Sequence, residues 1–385
     1  MYNISLSVPS IMGNEWQYIK ECLENEWVSS AGKYVETFEQ KISEYTGAKH
    51  SVACINGTSA LQVSLRLAGV EPGDEVIVPT LTFIAPINAV FYSGAKPVFM
   101  DVDKYYNIDI EKTTEFIKNE TEFKNGMTVN KTTKNRISAI IPVHVWGNAA
   151  QLDELIPLCK KRNIKVVEDA SESLGSIYTD GKYSGKSTGT IGTLGCLSFN
   201  GNKIITTGSG GMILTDDKKL AEKAHYLTTQ AKDDPVRYIH NEVGYNFRLT
   251  NIQAALGVAQ MEQLPGFLEK KKIIFHHYAD QINNIEGLGM APVPNYSSNN
   301  HWMNVLQIEK DIYGKNAEQL MLHLKKKGIQ TRPIWKLNHK QKPYKNCQYY
   351  KIEKAIKLLT NSLCLPSSSN LTIGNLNKII HQLSG

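Results

Sequence analysis

The sequence predicts an α/β fold, with a large domain built on a mostly parallel sheet over residues 1–265 and a smaller α+β domain over residues 266–385. Three observations carry this. Apolar, β-rich runs alternate with helical patterns from about residue 35 to 220. Most of these runs are short and bounded by Gly or Pro. After about residue 250 the alternation gives way to a more polar texture with Asn and Ser clusters. Strands separated by helices at this spacing are βαβ units, which lay strands parallel and bury both faces of the sheet.

Taken in order, residues 51–55 read as a strand and 59–67 as the helix after it. Residues 75–78, 97–100 and 137–143 are further strands. A helix over 152–161 leads into a strand at 165–168, and residues 212–215 form the next strand. A helix starting at Asn251 is expected to stop at Leu264-Pro265-Gly266, because an internal proline removes one helical hydrogen bond and crowds the preceding turn. A Lys-rich helical stretch follows, and the domain division is placed there.

Composition narrows the function. Among 385 residues, 43 Lys plus Arg face 37 Asp plus Glu, a net charge of +6. Spread this thinly, the charge does not point to nucleic acid, although it suits an anionic metabolite. Lys325-Lys326-Lys327 reads as a solvated helix face. The best apolar run, 137–146, is too short to span a bilayer and contains Pro142 and His144, so no membrane partner is expected. The first ten residues lack a basic region followed by an apolar one. Six scattered cysteines, without CxxC or metal-type spacing, fit a reducing cytoplasm, and no metal site is expected.

Three segments carry chemistry. Asn56-Gly57-Thr58-Ser59-Ala60 joins a strand to a helix, where unpaired N–H groups and hydroxyls suit a phosphate or simply cap the helix. In Val166-Val167-Glu168-Asp169-Ala170-Ser171-Glu172 an apolar strand ends in acids. Asp169 could hold a proton on a heterocyclic nitrogen or cap the next helix. In the run from Ser198 to Met212, Lys203 sits between a Ser-Phe pair and the apolar Ile204-Ile205, ahead of a Gly-rich turn. A lysine that its neighbours bury has a lowered pKa, which suits Schiff-base chemistry with an aldehyde. Neither a Walker loop nor a dinucleotide-binding GxGxxG after the first strand is present.

Together these segments resemble the DegT/DnrJ/EryC/StrS family of sugar-nucleotide aminotransferases. The resemblance begins at Trp27-Val28-Ser29-Ser30-Ala31-Gly32-Lys33 and passes through Pro79-Thr80-Leu81-Thr82-Phe83, Pro142-Val143-His144-Val145-Trp146-Gly147 and the three segments above. It continues through Gly244-Tyr245-Asn246-Phe247-Arg248-Leu249-Thr250-Asn251, and more loosely through Arg332-Pro333 and Leu365-Pro366.

The resemblance implies a fold-type I, aspartate aminotransferase-like large domain and a pyridoxal 5′-phosphate cofactor that passes through its pyridoxamine form. It implies a homodimer with a shared active site, L-glutamate as donor with 2-oxoglutarate released, and a nucleotide-linked ketosugar as acceptor. By similarity Lys203 is the cofactor-bonding lysine, and its presence favours transamination over the dehydration of a family branch with His there. Asp169 matches the partner of the pyridine nitrogen, and Phe83 the aromatic stacked on the ring. Thr58, Ser59 and Ser198 match phosphate ligands, and Asn246 a ligand reaching over from the neighbouring subunit. Glu172 stands where many relatives have Gln or His near the cofactor's phenolic oxygen, a departure that requires it to be protonated, water-bridged or turned away. Ser29, Ser30 and Arg332 match segments lining the sugar-nucleotide pocket, while His301 and His339 are given no role. The residues around Lys203 and Asp169 look closest to the legionaminic-acid branch, which forms UDP-N-acetylbacillosamine. A GDP-perosamine synthase-like enzyme is the alternative. A catalytically silent sugar-nucleotide- or cofactor-binding protein is the reading of a different class. The retained lysine and aspartate, and the lack of a helix-turn-helix segment, speak against it.

Overall fold

The computed structural model describes residues 2–384. Strands β1 (His50–Cys54), β2 (Glu75–Pro79), β3 (Lys96–Met100), β4 (Ile137–Ile140), β5 (Lys165–Asp169), β6 (Leu194–Ser198) and β7 (Gly211–Thr215) form one sheet in the order β1-β7-β6-β5-β4-β2-β3. Neighbours pair parallel except at β7, which runs against both β1 and β6. Successive side chains of a strand face opposite sides, and both sides are buried here. Val76, Val78 and Val167 enter one core, while Ile77, Val98 and Val166 enter another.

Helices α1 (Glu15–Glu24), α2 (Lys33–Thr46), α3 (Gly57–Leu67) and α4 (Asn251–Ile282) matter most for the site. The helix end expected at Leu264-Pro265-Gly266 is not there: α4 runs for 32 residues with Pro265 inside it. Its buried positions, Ala254, Ala255, Val258, Met261, Leu264, Phe267, Lys271, Ile274, Tyr278 and Ile282, keep helical spacing straight through the proline. Pro265 itself lies on the exposed side. Tertiary burial of that stripe outweighs the roughly 3 kcal/mol local preference against an internal proline.

The division expected after residue 265 therefore falls inside a helix. Beyond it, β8 (Leu288–Met290), β9 (Asn304–Ile308) and β10 (Arg332–Pro333) join a small antiparallel sheet, β11 (Tyr349–Tyr350) adds instead to the β3 edge of the large sheet, and β12 (Ser362–Leu365) lies between β9 and β10. The amino-terminal arm packs with this later part of the chain. Ile4 bridges Ile329, the Asn3 and Ile4 amides donate to the Gly328 carbonyl (2.8 and 3.1 Å), and the Ser367 amide donates to the Leu6 carbonyl (2.7 Å). Among the described residues, no helix is long and apolar enough to cross a membrane.

Candidate active site

The carboxyl ends of parallel strands are where open α/β sheets bind ligands. Here β1, β5 and β6 end around a cavity of about 290 Å³, lined by Thr58, Phe83, Asp169, Glu172, Ser198 and Lys203 among others. A larger hollow of about 410 Å³ lies by α1 and α2. There Glu21 and Lys33 already pair with each other, away from the strand ends, and we place the chemistry in the smaller cavity.

The α3 end of this cavity is shaped for an anion. The Asn56 side chain caps the helix, its Oδ1 accepting from the Ser59 amide at 2.8 Å. A Cβ on Gly57 would come within 2.8 Å of the Ser198 Cβ, so only glycine lets the helix approach β6 this closely. Thr58 and Ser198 then present their hydroxyls beside the helix N-terminus, where the dipole favours negative charge.

Asp169, at the end of β5, is buried and accepts from the Ser171 amide at 3.1 Å. Burial raises its pKa, against the hydrogen bonds from Ser171 and the nearby Lys203 charge. Glu172 is also buried: burial pushes it up to about 7, opposed by Lys203 and by the Trp146 amide, which donates to its Oε2 at 2.9 Å. Two buried acids whose pKa values stay raised despite Lys203 mark a cleft where further positive charge from a ligand would be stabilised.

The lysine segment folds into a turn over this cleft. Lys203 Nζ is 3.6 Å from Glu172 Oε1 and 4.1 Å from the centroid of the Trp302 ring. The indole N–H of Trp302 donates to the Asn202 carbonyl at 2.6 Å, locking the two loops together. Phe83 is 53% exposed at the cavity wall, with Trp335 packed edge-on at 6.5 Å.

Six of the residues singled out in the sequence thus meet: Thr58, Phe83, Asp169, Glu172, Ser198 and Lys203. Ser59 does not line the cavity, because it is buried in α3 with its amide engaged by Asn56. Asn246, Ser29, Ser30 and Arg332 are exposed and lie outside this cavity of the single chain. His301 stacks on Phe275 at 4.2 Å, and His339 Nδ1 is 2.6 Å from Thr80 Oγ1; both sit behind the wall. Sequence reasoning missed Trp302 and Trp335. The only signal for them was proximity, since Trp302 follows His301 and Trp335 comes three residues after Arg332.

The arrangement fits a phosphorylated, aldehyde-bearing pyridine. It offers a phosphate cradle that a Cβ at Gly57 would fill, a buried carboxyl short of a cationic partner, an uncovered aromatic face and an amine between them. The comparisons agree. The profile of the DegT/DnrJ/EryC1/StrS aminotransferase family matches residues 9–384. The GDP-perosamine synthase of Caulobacter vibrioides is 35% identical over 382 residues, covering 99% of this chain and 97% of that one. The GDP-perosamine synthase of Escherichia coli O157:H7 is 36% identical over 372 residues, covering 97% and 95%. A solved DegT DnrJ EryC1 StrS aminotransferase from Brucella abortus superposes with a TM-score of 0.86 at 27% identity, covering 96% of this chain and 94% of that one. The large domain therefore has the fold its motifs implied, and the chain belongs to the DegT/DnrJ/EryC1/StrS aminotransferase family as a pyridoxal phosphate-dependent sugar-nucleotide aminotransferase.

Proposed function

We propose that this enzyme moves the amino group of L-glutamate to the C4 ketone of UDP-4-keto-6-deoxy-N-acetylglucosamine, giving UDP-N-acetylbacillosamine and 2-oxoglutarate. The observation that carries amino transfer is Lys203 beside two buried acids at the strand ends. The UDP sugar rests on the residue patterns around Lys203 and Asp169. A second reading, amination of GDP-4-keto-6-deoxymannose, is favoured by the 35–36% identity to GDP-perosamine synthases over nearly the whole chain.

When bound, pyridoxal phosphate supplies the electron sink that makes the donor's Cα–H acidic. With the group bound, Lys203 Nζ would act as general base toward the proton on the donor's Cα and would carry a proton in the opposite order on the sugar side. Asp169 would hold a proton on the ring nitrogen, and a cationic ring there would favour the ionised carboxylate that burial alone disfavours. Thr58, Ser198 and the α3 N-terminus would hold the phosphate, and Phe83 would pack on the ring face, worth on the order of 1 kcal/mol. Burial raises Glu172 to about 7, so a protonated carboxyl that could donate a hydrogen bond to the cofactor's phenolic oxygen is far more accessible there than for an ordinary glutamate. Asn246 reaches the phosphate of a second copy. Exposed Val236, Tyr238 and Val243 on the loop before it support such a homodimer. Ser29, Ser30 and Arg332 serve the sugar nucleotide, and the six free thiols support a cytoplasmic setting.

The test follows the visible absorbance of the loaded enzyme. Glutamate should bleach the band, and after its removal the UDP-N-acetyl ketosugar alone should restore it. Restoration by the GDP sugar alone moves the enzyme to the second reading, and a band that glutamate never bleaches overturns glutamate as donor. Lys203→Ala should keep the fold and lose on the order of 10²–10⁴-fold in turnover from the proton transfers alone. Wild-type rates in that variant would end the assignment.

A further inference from the structure

Behind the reactive amine lies a second lysine that no motif announces. Lys271 projects from the buried stripe of α4 and is 3% exposed. Its ammonium donates to the Trp302 carbonyl at 3.0 Å and to the Ser367 carbonyl. Burial pushes it down to about 7, and no acid counters the shift. Enclosing an unpaired charge costs several kcal/mol, and an apolar side chain would fill the space more cheaply. That chain would, however, leave two buried carbonyls without this donor.

The gripped residue is the one that covers the reaction. Trp302 lies with its ring 4.1 Å from Lys203 Nζ. Its amide donates to Asn300 Oδ1 at 2.9 Å and its indole to the Asn202 carbonyl. The turn that delivers it is strained: His301 has φ of 49°, a left-handed conformation that a non-glycine residue holds only when its surroundings impose it. The Phe275–His301 stack restrains one side of that turn, and Lys271 restrains the carbonyl on the other.

We propose that Lys271 is a positioning residue for amino transfer. By holding the Trp302 carbonyl it keeps the indole face against the Lys203 amine, and so sets where that amine stands while it carries the proton. Through Ser367, whose Oγ accepts from the Asn304 amide at 2.9 Å, the same grip ties the cleft to the small sheet. The inference rests on Lys203 being the proton carrier. That premise is checked separately, by borohydride reduction of the loaded protein and mass mapping of the modified peptide to Lys203.

The experiment compares Lys271→Met, Lys271→Arg, Trp302→Leu and the Lys271→Met/Trp302→Leu double variant, each fully loaded with cofactor. Lys271→Met should lower kcat about tenfold with KM for glutamate within about twofold, since a slightly misplaced reacting group loses rate before binding. It should also shift the pH midpoint of the visible band, which reports protonation at the Lys203 nitrogen, and Lys271→Arg should restore most of both. In the Trp302→Leu background, adding Lys271→Met should change little, because both act through one contact. A Lys271→Met protein that melts earlier but keeps the midpoint and the kcat of its folded fraction would overturn the proposal, as would effects of the two changes that multiply. If Lys271→Met does not fold, Lys271→Gln takes its place beside Trp302→Leu: an unmoved midpoint in either overturns the proposal, and a moved one in both, with Lys271→Arg unmoved, supports it. Mapping to a lysine other than 203 would fail the premise instead.

Discussion

Glu168 and Asp169 are neighbours on β5, both carboxylates and both almost wholly buried, yet the two faces of the strand treat them differently. Glu168 is saturated. His144 Nε2 lies 2.8 Å from its Oε2, and the amides of Gly189, Ile191 and Gly192 donate to it at 2.9, 2.6 and 2.5 Å. Because the Ala150 amide donates to His144 Nδ1 at 3.0 Å, the imidazole carries its hydrogen on Nε2 and is a fourth donor. Asp169 accepts only from Ser171 and faces the cavity. A carboxylate with every lone pair engaged holds loops together, whereas one left short of donors is available to a ligand.

The comparison can be broken by exchanging each acid for its amide. Asp169→Asn should cost on the order of 10²–10³-fold in kcat, as for other lost electrostatic partners, with no loss of stability in the cofactor-free protein. Steady-state assays and urea unfolding check the two halves. Glu168→Gln should do the reverse. An amide oxygen cannot serve four donors, so unfolding should become easier by about 2–4 kcal/mol while the activity of the folded fraction stays. If both substitutions lowered kcat equally at unchanged stability, the contrast between the two faces would be false.

Glu172 sharpens the contrast, since it stands between the extremes with one backbone donor and one lysine. Its pKa is raised from an ordinary 4.5 to about 7, so the folded protein binds more protons than the unfolded chain between those values. Wild-type stability should therefore fall as pH rises through that window, and Glu172→Gln should escape the fall. Denaturant midpoints of the two cofactor-free proteins should diverge from about 4.5 to about 7 and then run in parallel. A constant gap across the window would remove Glu172 from the titrating groups. The smallest effect is expected at Arg332, exposed on the small sheet. Arg332→Ala should raise KM for the sugar nucleotide about tenfold, the value of one charged hydrogen bond, and leave the glutamate half-reaction unchanged.

The cofactor end of the cleft was legible because its chemistry is local. Thr58, Asp169 and Ser198 each sit at or just past the end of a strand, and Lys203 lies in the turn that follows β6, so the flanking apolar runs place them. The α4 helix was misread at Pro265 because local propensity was weighed without the buried stripe that continues beyond it. Trp302, Trp335 and Lys271 were invisible for a different reason. Their partners lie about a hundred residues or more away for Trp302–Asn202 and Trp335–Trp146, and 31 residues away, past the end of α4 and the strand β8, for Lys271–Trp302. No periodicity encodes such meetings. The residues alone do not show that Glu168 is saturated, since its donors, His144 and the loop at Gly189–Gly192, come from elsewhere in the chain.

The arm that seats Ile4 against Ile329 has a consequence for the order of events during synthesis. A ribosome adding 5–20 residues per second needs roughly a quarter of a minute to a minute to travel between those two positions. Throughout that interval the strands β1 to β7 of the large sheet can pair, but the positions that hold Asn3, Ile4 and Leu6, at Gly328, Ile329 and Ser367, do not yet exist. Pairing Ile4 with Ile329 is therefore a late, long-range closure that reports the small sheet's arrival.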